Sequence, residues 1–140
     1  MLPVIIFSFY GCEKNDVEIG KVRFKLKETE YKKGDTVKAY FINNKRRHIY
    51  RVRPSTGYTW LEKFKDENWE PLFYPGYHLP VTKYYKVKSR EADFIEYPYT
   101  LLELMVENTE GIYRFSETIS PTLDYQSDHK KIVSKKFTIK

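Results

Sequence analysis

The sequence predicts an all-β protein, an antiparallel β-sandwich of about seven to nine strands. Three observations carry this expectation. Apolar residues recur with a period of two nearly everywhere. Turn residues interrupt the pattern at intervals of roughly 8 to 12 residues. Elsewhere no stretch carries the clean ~3.6-residue stripe of an amphipathic helix. The 140 residues are 41% hydrophobic and 17% aromatic, with 13 Tyr and 9 Phe. That is enough apolar material for one core, too little length for two, and too apolar for a disordered chain.

The strands follow in order. Val22, Phe24 and Leu26 alternate with Lys21, Arg23, Lys25 and Lys27, the pattern of a strand with one wet face. Tyr31-Lys32-Lys33-Gly34-Asp35 reads as a turn, and Val37, Ala39 and Phe41 then alternate with Lys38 and Tyr40 until Asn43-Asn44-Lys45 breaks the strand. His48 to Arg53 is a short third strand, ended by Pro54-Ser55-Thr56-Gly57. Tyr58 to Phe64 and Trp69 to Phe73 flank Lys65-Asp66-Glu67-Asn68 as a hairpin with a four-residue loop. Phe73 to Pro80, with two Pro and a Gly, is a loop; Val81 to Lys88 is a strand. Leu102, Leu104 and Val106 are expected on one strand face, with Glu103 and Glu107 on the other. Ile112 to Ile119 and Ile132 to Ile139 complete the set. Only Glu91 to Tyr97 and Thr100 to Val106 could be argued helical.

Residues 1–11 are uncharged, apolar from Leu2 to Tyr10, and end in Gly11 before Cys12, the one cysteine of the chain. The arrangement resembles the lipobox of a bacterial lipoprotein signal peptide, in which a small residue precedes the cleavage site and the Cys becomes the lipidated first residue. The run is far short of the ~20 residues that span a bilayer as a helix and matches a secretory apolar segment. It lacks a basic segment ahead of it, which points to a true start upstream of Met1. Two plainer readings compete: a first β-strand, or Cys12 as an ordinary buried apolar residue. The abrupt turn to Glu13-Lys14-Asn15-Asp16 favours a polar tether. The expected division is a signal segment over 1–11, a lipidated tether over 12–20 and a single domain over 21–140. One cysteine allows no intramolecular disulfide, so burial holds the fold.

Asn108-Thr109-Glu110-Gly111-Ile112-Tyr113-Arg114-Phe115 resembles the corner between the fifth and sixth strands of an immunoglobulin-type domain. The resemblance implies structural roles for Gly111 and Tyr113, whose hydroxyl would bond back to the backbone, and puts Phe115 where antibody domains carry their second Cys. Trp60 and Trp69 are candidates for the core Trp. The order Lys33-Gly34-Asp35 to Asn43, Trp60-Leu61-Glu62-Lys63-Phe64, Asn68-Trp69-Glu70-Pro71-Leu72 and Gly111-Ile112-Tyr113-Arg114 is also similar to bacterial Ig-like domains of secreted lipoproteins. The likeness covers roughly residues 20 to 120. The chain departs from it in the longer acidic stretch before Asn108 and in the insertion after Ile119. It implies an Ig-like sandwich and no particular activity.

The net charge of +6 is unevenly spread. Residues 21–53 hold 12 Lys or Arg against Glu28, Glu30 and Asp35, whereas residues 91–128 hold nine acids against Arg114. In an Ig-like sandwich these segments are neighbours, so much of the asymmetry is cross-strand pairing, with Lys38 expected opposite Glu103 or Glu107. The run Lys45-Arg46-Arg47-His48 is what pairing explains least, and it makes Arg46 and Arg47 candidates for an anionic partner. Tyr74, Tyr77 and His78 form the densest loop cluster of aromatic character; such a cluster either stacks on a ligand or caps its own core.

Catalysis has little support. His48, His78 and His129 stand far apart without zinc-site spacing, and neither a nucleophile elbow nor a phosphate loop occurs. No cofactor is expected, and nucleic acid is not the expected partner. The reading is a lipid-anchored, extracytoplasmic, non-catalytic Ig-like module at the bacterial cell envelope, on the outer membrane or cell surface or facing the periplasm. It would bind a carbohydrate or protein, or scaffold. A protease-inhibitor-like sandwich and a structural envelope protein without a small ligand are the alternatives.

Overall fold

The computed structural model of the chain describes residues 18–19, 21–54, 59–73, 82–124 and 128–140. Twelve strands and one short helix lie among them: β1 Glu18–Ile19, β2 Val22–Leu26, β3 Glu30–Tyr31, β4 Val37–Asn43, β5 Ile49–Pro54, β6 Trp60–Lys65, β7 Asn68–Pro71, β8 Thr82–Val87, β9 Ala92–Tyr97, α1 Tyr99–Met105, β10 Gly111–Ser120, β11 Lys130–Val133 and β12 Phe137–Ile139.

Two sheets form. The first has the order β1-β2-β4-β9, and the second β3-β12-β10-β5-β8, with β6 and β11 also on β10 and β7 on β6. Alternation along each strand decides which residues turn inward. In β4, Val37, Ala39, Phe41 and Asn43 are buried while Lys38 is exposed. In β10, Tyr113, Phe115, Glu117 and Ile119 share the inner face by the same rule. The sheets meet where Phe24 of β2 stacks on Phe115 of β10 at 5.8 Å between ring centroids, with Tyr97 of β9 at 6.3 Å from the same ring. One buried apolar cluster therefore joins both sheets, as in an Ig-like β-sandwich.

β10 is the spine of the second sheet. On one edge it pairs with β12 and then β11; Tyr113 faces Phe137 and Ser116 faces Val133. Two residues of β10 thus oppose three, a one-residue bulge. Ser134 fills it: its hydroxyl accepts from Phe115 N at 2.8 Å, and its own N–H donates to Phe115 O at 2.9 Å. On the other edge Ser116 faces Trp60 of β6 and Thr118 faces Val52 of β5. Glu117 alone stands between those two registers.

Several expectations need correction. Leu102 and Leu104 are not on a strand: α1 buries Leu101 and Leu102, while Leu104 is 55% exposed. Seven residues, about two turns, are too few to show a clear stripe, which is why its two-residue alternation misleads. Lys38 accordingly lies opposite Glu96 of β9 rather than Glu103 or Glu107. Neither Trp60 nor Trp69 is in the core; both are half-buried on the outer face, because Leu61 takes the inward position next to Trp60. The β6–β7 hairpin turns on two residues, Asp66 and Glu67, at φ 50° and 66°. Positive φ at both central positions is the twist-matched geometry of a tight hairpin. The sheets are also not purely antiparallel, since β3 runs parallel to β12.

Candidate functional site

The outer face of the second sheet carries the exposed aromatic chemistry. Arg51 points inward from β5, so Tyr50 and Val52 point outward, and Tyr84 of β8 lies opposite Val52. A row results. His48 meets Tyr50 at 5.3 Å between centroids, Tyr50 meets Tyr84 at 6.4 Å, and Tyr84 meets His129 at 6.1 Å, all edge to face. The Tyr84 hydroxyl and His129 Nε2 are 3.2 Å apart, which fixes the end of the row. Farther along the same face, Trp60 meets Phe73 at 5.8 Å and Phe64 meets Trp69 at 5.1 Å, with Phe73 59% exposed.

Between those aromatics lies an ionic triad. Glu62 accepts from Arg114 Nε at 2.6 Å and from Lys131 Nζ at 2.7 Å, and the Arg114 guanidinium lies 4.3 Å from the centre of the Trp69 ring. Burial alone would push the Glu62 carboxyl up; the hydrogen bonds from Lys131 and Arg114 outweigh it and hold the group below the usual carboxylate range.

Beside the row, residues 44–48 form a basic loop that the fold holds at many points. Asn43, fully buried, is the organiser. Its side-chain amide donates to Arg47 O at 3.0 Å, Val87 O at 3.1 Å and Lys88 O at 3.2 Å, and its Oδ1 accepts from Lys45 N at 3.0 Å. Ser89 Oγ donates to Lys45 O, and Arg90 Nη1 to Asn44 O. With its backbone groups so occupied, the loop presents Lys45, Arg46 and Arg47 from a fixed frame. Arg46 and Arg47 are both exposed. Arg47 faces a small recess; Arg46 is not part of its lining.

Two further constellations are structural. Arg51 is nearly fully buried under the sandwich, donating to Glu117 Oε2 at 3.2 Å, Thr59 Oγ1 at 2.9 Å and Asp93 Oδ2 at 3.1 Å, with its guanidinium carbon 4.5 Å from the Phe41 ring centre. The Tyr113 hydroxyl donates to Thr109 O at 2.7 Å, and burial pushes its ionisation well above the usual tyrosine range. Gly111 has φ 149°, and a Cβ there would come within 2.8 Å of Lys63 Cε. Cys12, Tyr74, Tyr77 and His78 lie outside the described residues. Among the described residues no group of three His, Cys, Asp or Glu side chains could hold a metal ion, and no helix is long and apolar enough to cross a membrane.

Asn43, Tyr50, Arg51, Tyr84 and Glu117 carry no motif that marks them in the sequence. For two of them the alternation is itself a signal. Arg51 shares its alternation with Ile49, and Glu117 shares its own with Phe115 and Ile119, so each is a charge at an inward position.

No family model and no curated protein matches the sequence. Among solved structures the chain is similar to the periplasmic chaperone SfaE, with TM-score 0.43 and 18% identity, over 83% of this chain and 55% of that one. The chain thus spans just over half the length of that chaperone.

Proposed function

We propose that the protein is a non-catalytic binding module whose ligand surface is the outer face of the second sheet, and that its ligand is a carbohydrate. The observation that carries this is the row in which Tyr50 and Tyr84 stand on paired strands and His48 and His129 flank them from the adjoining loops. Half-exposed rings with apolar bodies and polar tips offer C–H stacking and hydrogen bonds together, which is what a sugar presents in return. The sheet sets the rings in place before binding, so little ordering entropy is lost. Affinity electrophoresis against a panel of polysaccharides tests the reading. Retardation in at least one gel, lost in Tyr50→Ala and Tyr84→Ala variants that keep their fold, is the expected result. No retardation in any gel would remove it.

A protein ligand is the second reading, favoured by Phe64 and Phe73, which are 38% and 59% exposed on the same face. Location belongs to the proposal as well. The lipobox-like Gly11-Cys12 and the polar residues after it support a lipid-anchored protein held outside the cytoplasm, with the membrane as its first partner.

A further inference from the structure

Between the basic loop and the start of β11 lies a recess of about 160 Å³. Among the described residues it is lined by Lys45 and Arg47 from the basic loop and Lys130 from the start of β11, against one carboxylate, Asp128. Its apolar lining is the buried Ile49 and Ile119, with the exposed Pro121 beside them. Among the described residues none of the three cations is engaged in an ion pair, whereas Lys33, Arg51, Arg114, Lys131 and Lys140 all are. Among the described residues the charge excess at this spot is therefore not consumed by ion pairs.

From this we infer that the recess binds the carboxylate of an acidic sugar, so that the ligand of the module is an acidic, uronate-type polysaccharide. Size is the first argument. At ~30 Å³ of liquid per water molecule, the recess has room for about five waters, or one carboxyl group with its neighbouring carbons. The lining is the second. A guanidinium fork and two ammonium groups suit a carboxylate, while Ile49 and Ile119 suit the carbons that bear it; a free inorganic anion would leave those side chains unused. Connectivity is the third: Arg47 adjoins His48 and Lys130 adjoins His129 in the chain, so the same two segments carry cations of the recess and the end members of the ring series. Preorganisation is the fourth, because Asn43 holds the carbonyl of Arg47 and the N–H of Lys45 and so sets where both side chains start.

The inference rests on the carbohydrate reading above, and the following experiment separates the two. Binding of the full chain to polygalacturonate, to its fully methyl-esterified form and to polyglutamate is measured by calorimetry at low and moderate salt. The expected result is binding to polygalacturonate that weakens as salt screens the charges, and at least tenfold weaker binding to the ester. The variant carrying Arg47→Ala and Lys130→Ala should lose at least tenfold for polygalacturonate while keeping its melting temperature and its affinity for the ester. Equal affinity for acid and ester, or an unaffected double variant, overturns the acidic-sugar site and leaves the stacking surface standing. Equal affinity for polyglutamate overturns the sugar as the bearer of the carboxylate. Binding to neither polysaccharide overturns this inference; the broader polysaccharide panel then decides the fate of the carbohydrate reading by itself.

Discussion

Arg51 Nη2 and Glu117 Oε2 lie 3.2 Å apart between the two sheets, with Arg51 2% exposed and Glu117 fully enclosed. This pair sits where the register of β10 jumps from β6 to β5, and Glu117 is the one β10 residue between the two ladders. Removing Arg51 takes the counter-charge from an enclosed Glu117, at a cost of about 3–5 kcal/mol, whereas removing Glu117 leaves the guanidinium its bond to Asp93. Arg51→Met should therefore lower the urea midpoint sharply. Replacing both, as Arg51→Met with Glu117→Leu, should cost far less than the sum of the single changes. A double-variant loss equal to the sum of the two single losses would show that the pair does not act as a unit.

Tyr113→Phe removes the hydroxyl that donates to Thr109 O and leaves that buried carbonyl without its partner. The expected loss is about 1–3 kcal/mol, read from chemical denaturation with an unchanged m-value. The effect should spread to α1, because Thr109 Oγ1 is also bonded to the Tyr99 hydroxyl. Loss of exchange protection at the Leu102 and Val106 amides is the specific readout.

Acid should weaken the outer face of the second sheet through Glu62. Its folded carboxyl titrates below its unfolded value, so its contribution is complete above the ordinary carboxylate range, ~4.3 for Glu, and is lost as pH falls through the lower, folded value. Glu62→Gln should flatten the stability–pH profile in that acidic window and change little near neutrality beyond a constant offset. An unchanged slope between pH ~5 and ~2 would assign acid sensitivity elsewhere.

Cys12→Ser should move the expressed protein from the membrane fraction to the soluble fraction, with the loss of an acyl mass from the wild type. Membrane sedimentation of the variant would remove the anchoring proposal.

The sandwich was legible because burial acts on every second residue: Val22, Phe24 and Leu26, or Val37, Ala39 and Phe41, announce both a strand and its inner face. The bond from the Tyr113 hydroxyl to Thr109 O is local, spanning four residues, and so lies within reach of a reading along the chain. What stayed hidden depends on partners distant in sequence. Tyr50 and Tyr84 are 34 positions apart and meet only through the β5–β8 ladder. Asn43 looked like a strand breaker, and in one sense it is, since its side chain takes over where the ladder ends. The basic run was visible at once, but the apolar lining beside Arg47 comes from Ile49 and Ile119, which sequence alone could only assign to the core.

The switch of sheet between β2 and β3 has a consequence for how the molecule comes apart. β2 lies in the first sheet, and a three-residue crossing later β3 zips alongside β12 in the second, with Lys140 N donating to Tyr31 O and Lys33 N to Lys140 O. The segment straps the two layers like a buckle. Neither layer can peel away without opening the other, so amides in β4 and β10 should exchange with solvent through one shared event, and the protein should unravel in a single step rather than layer by layer.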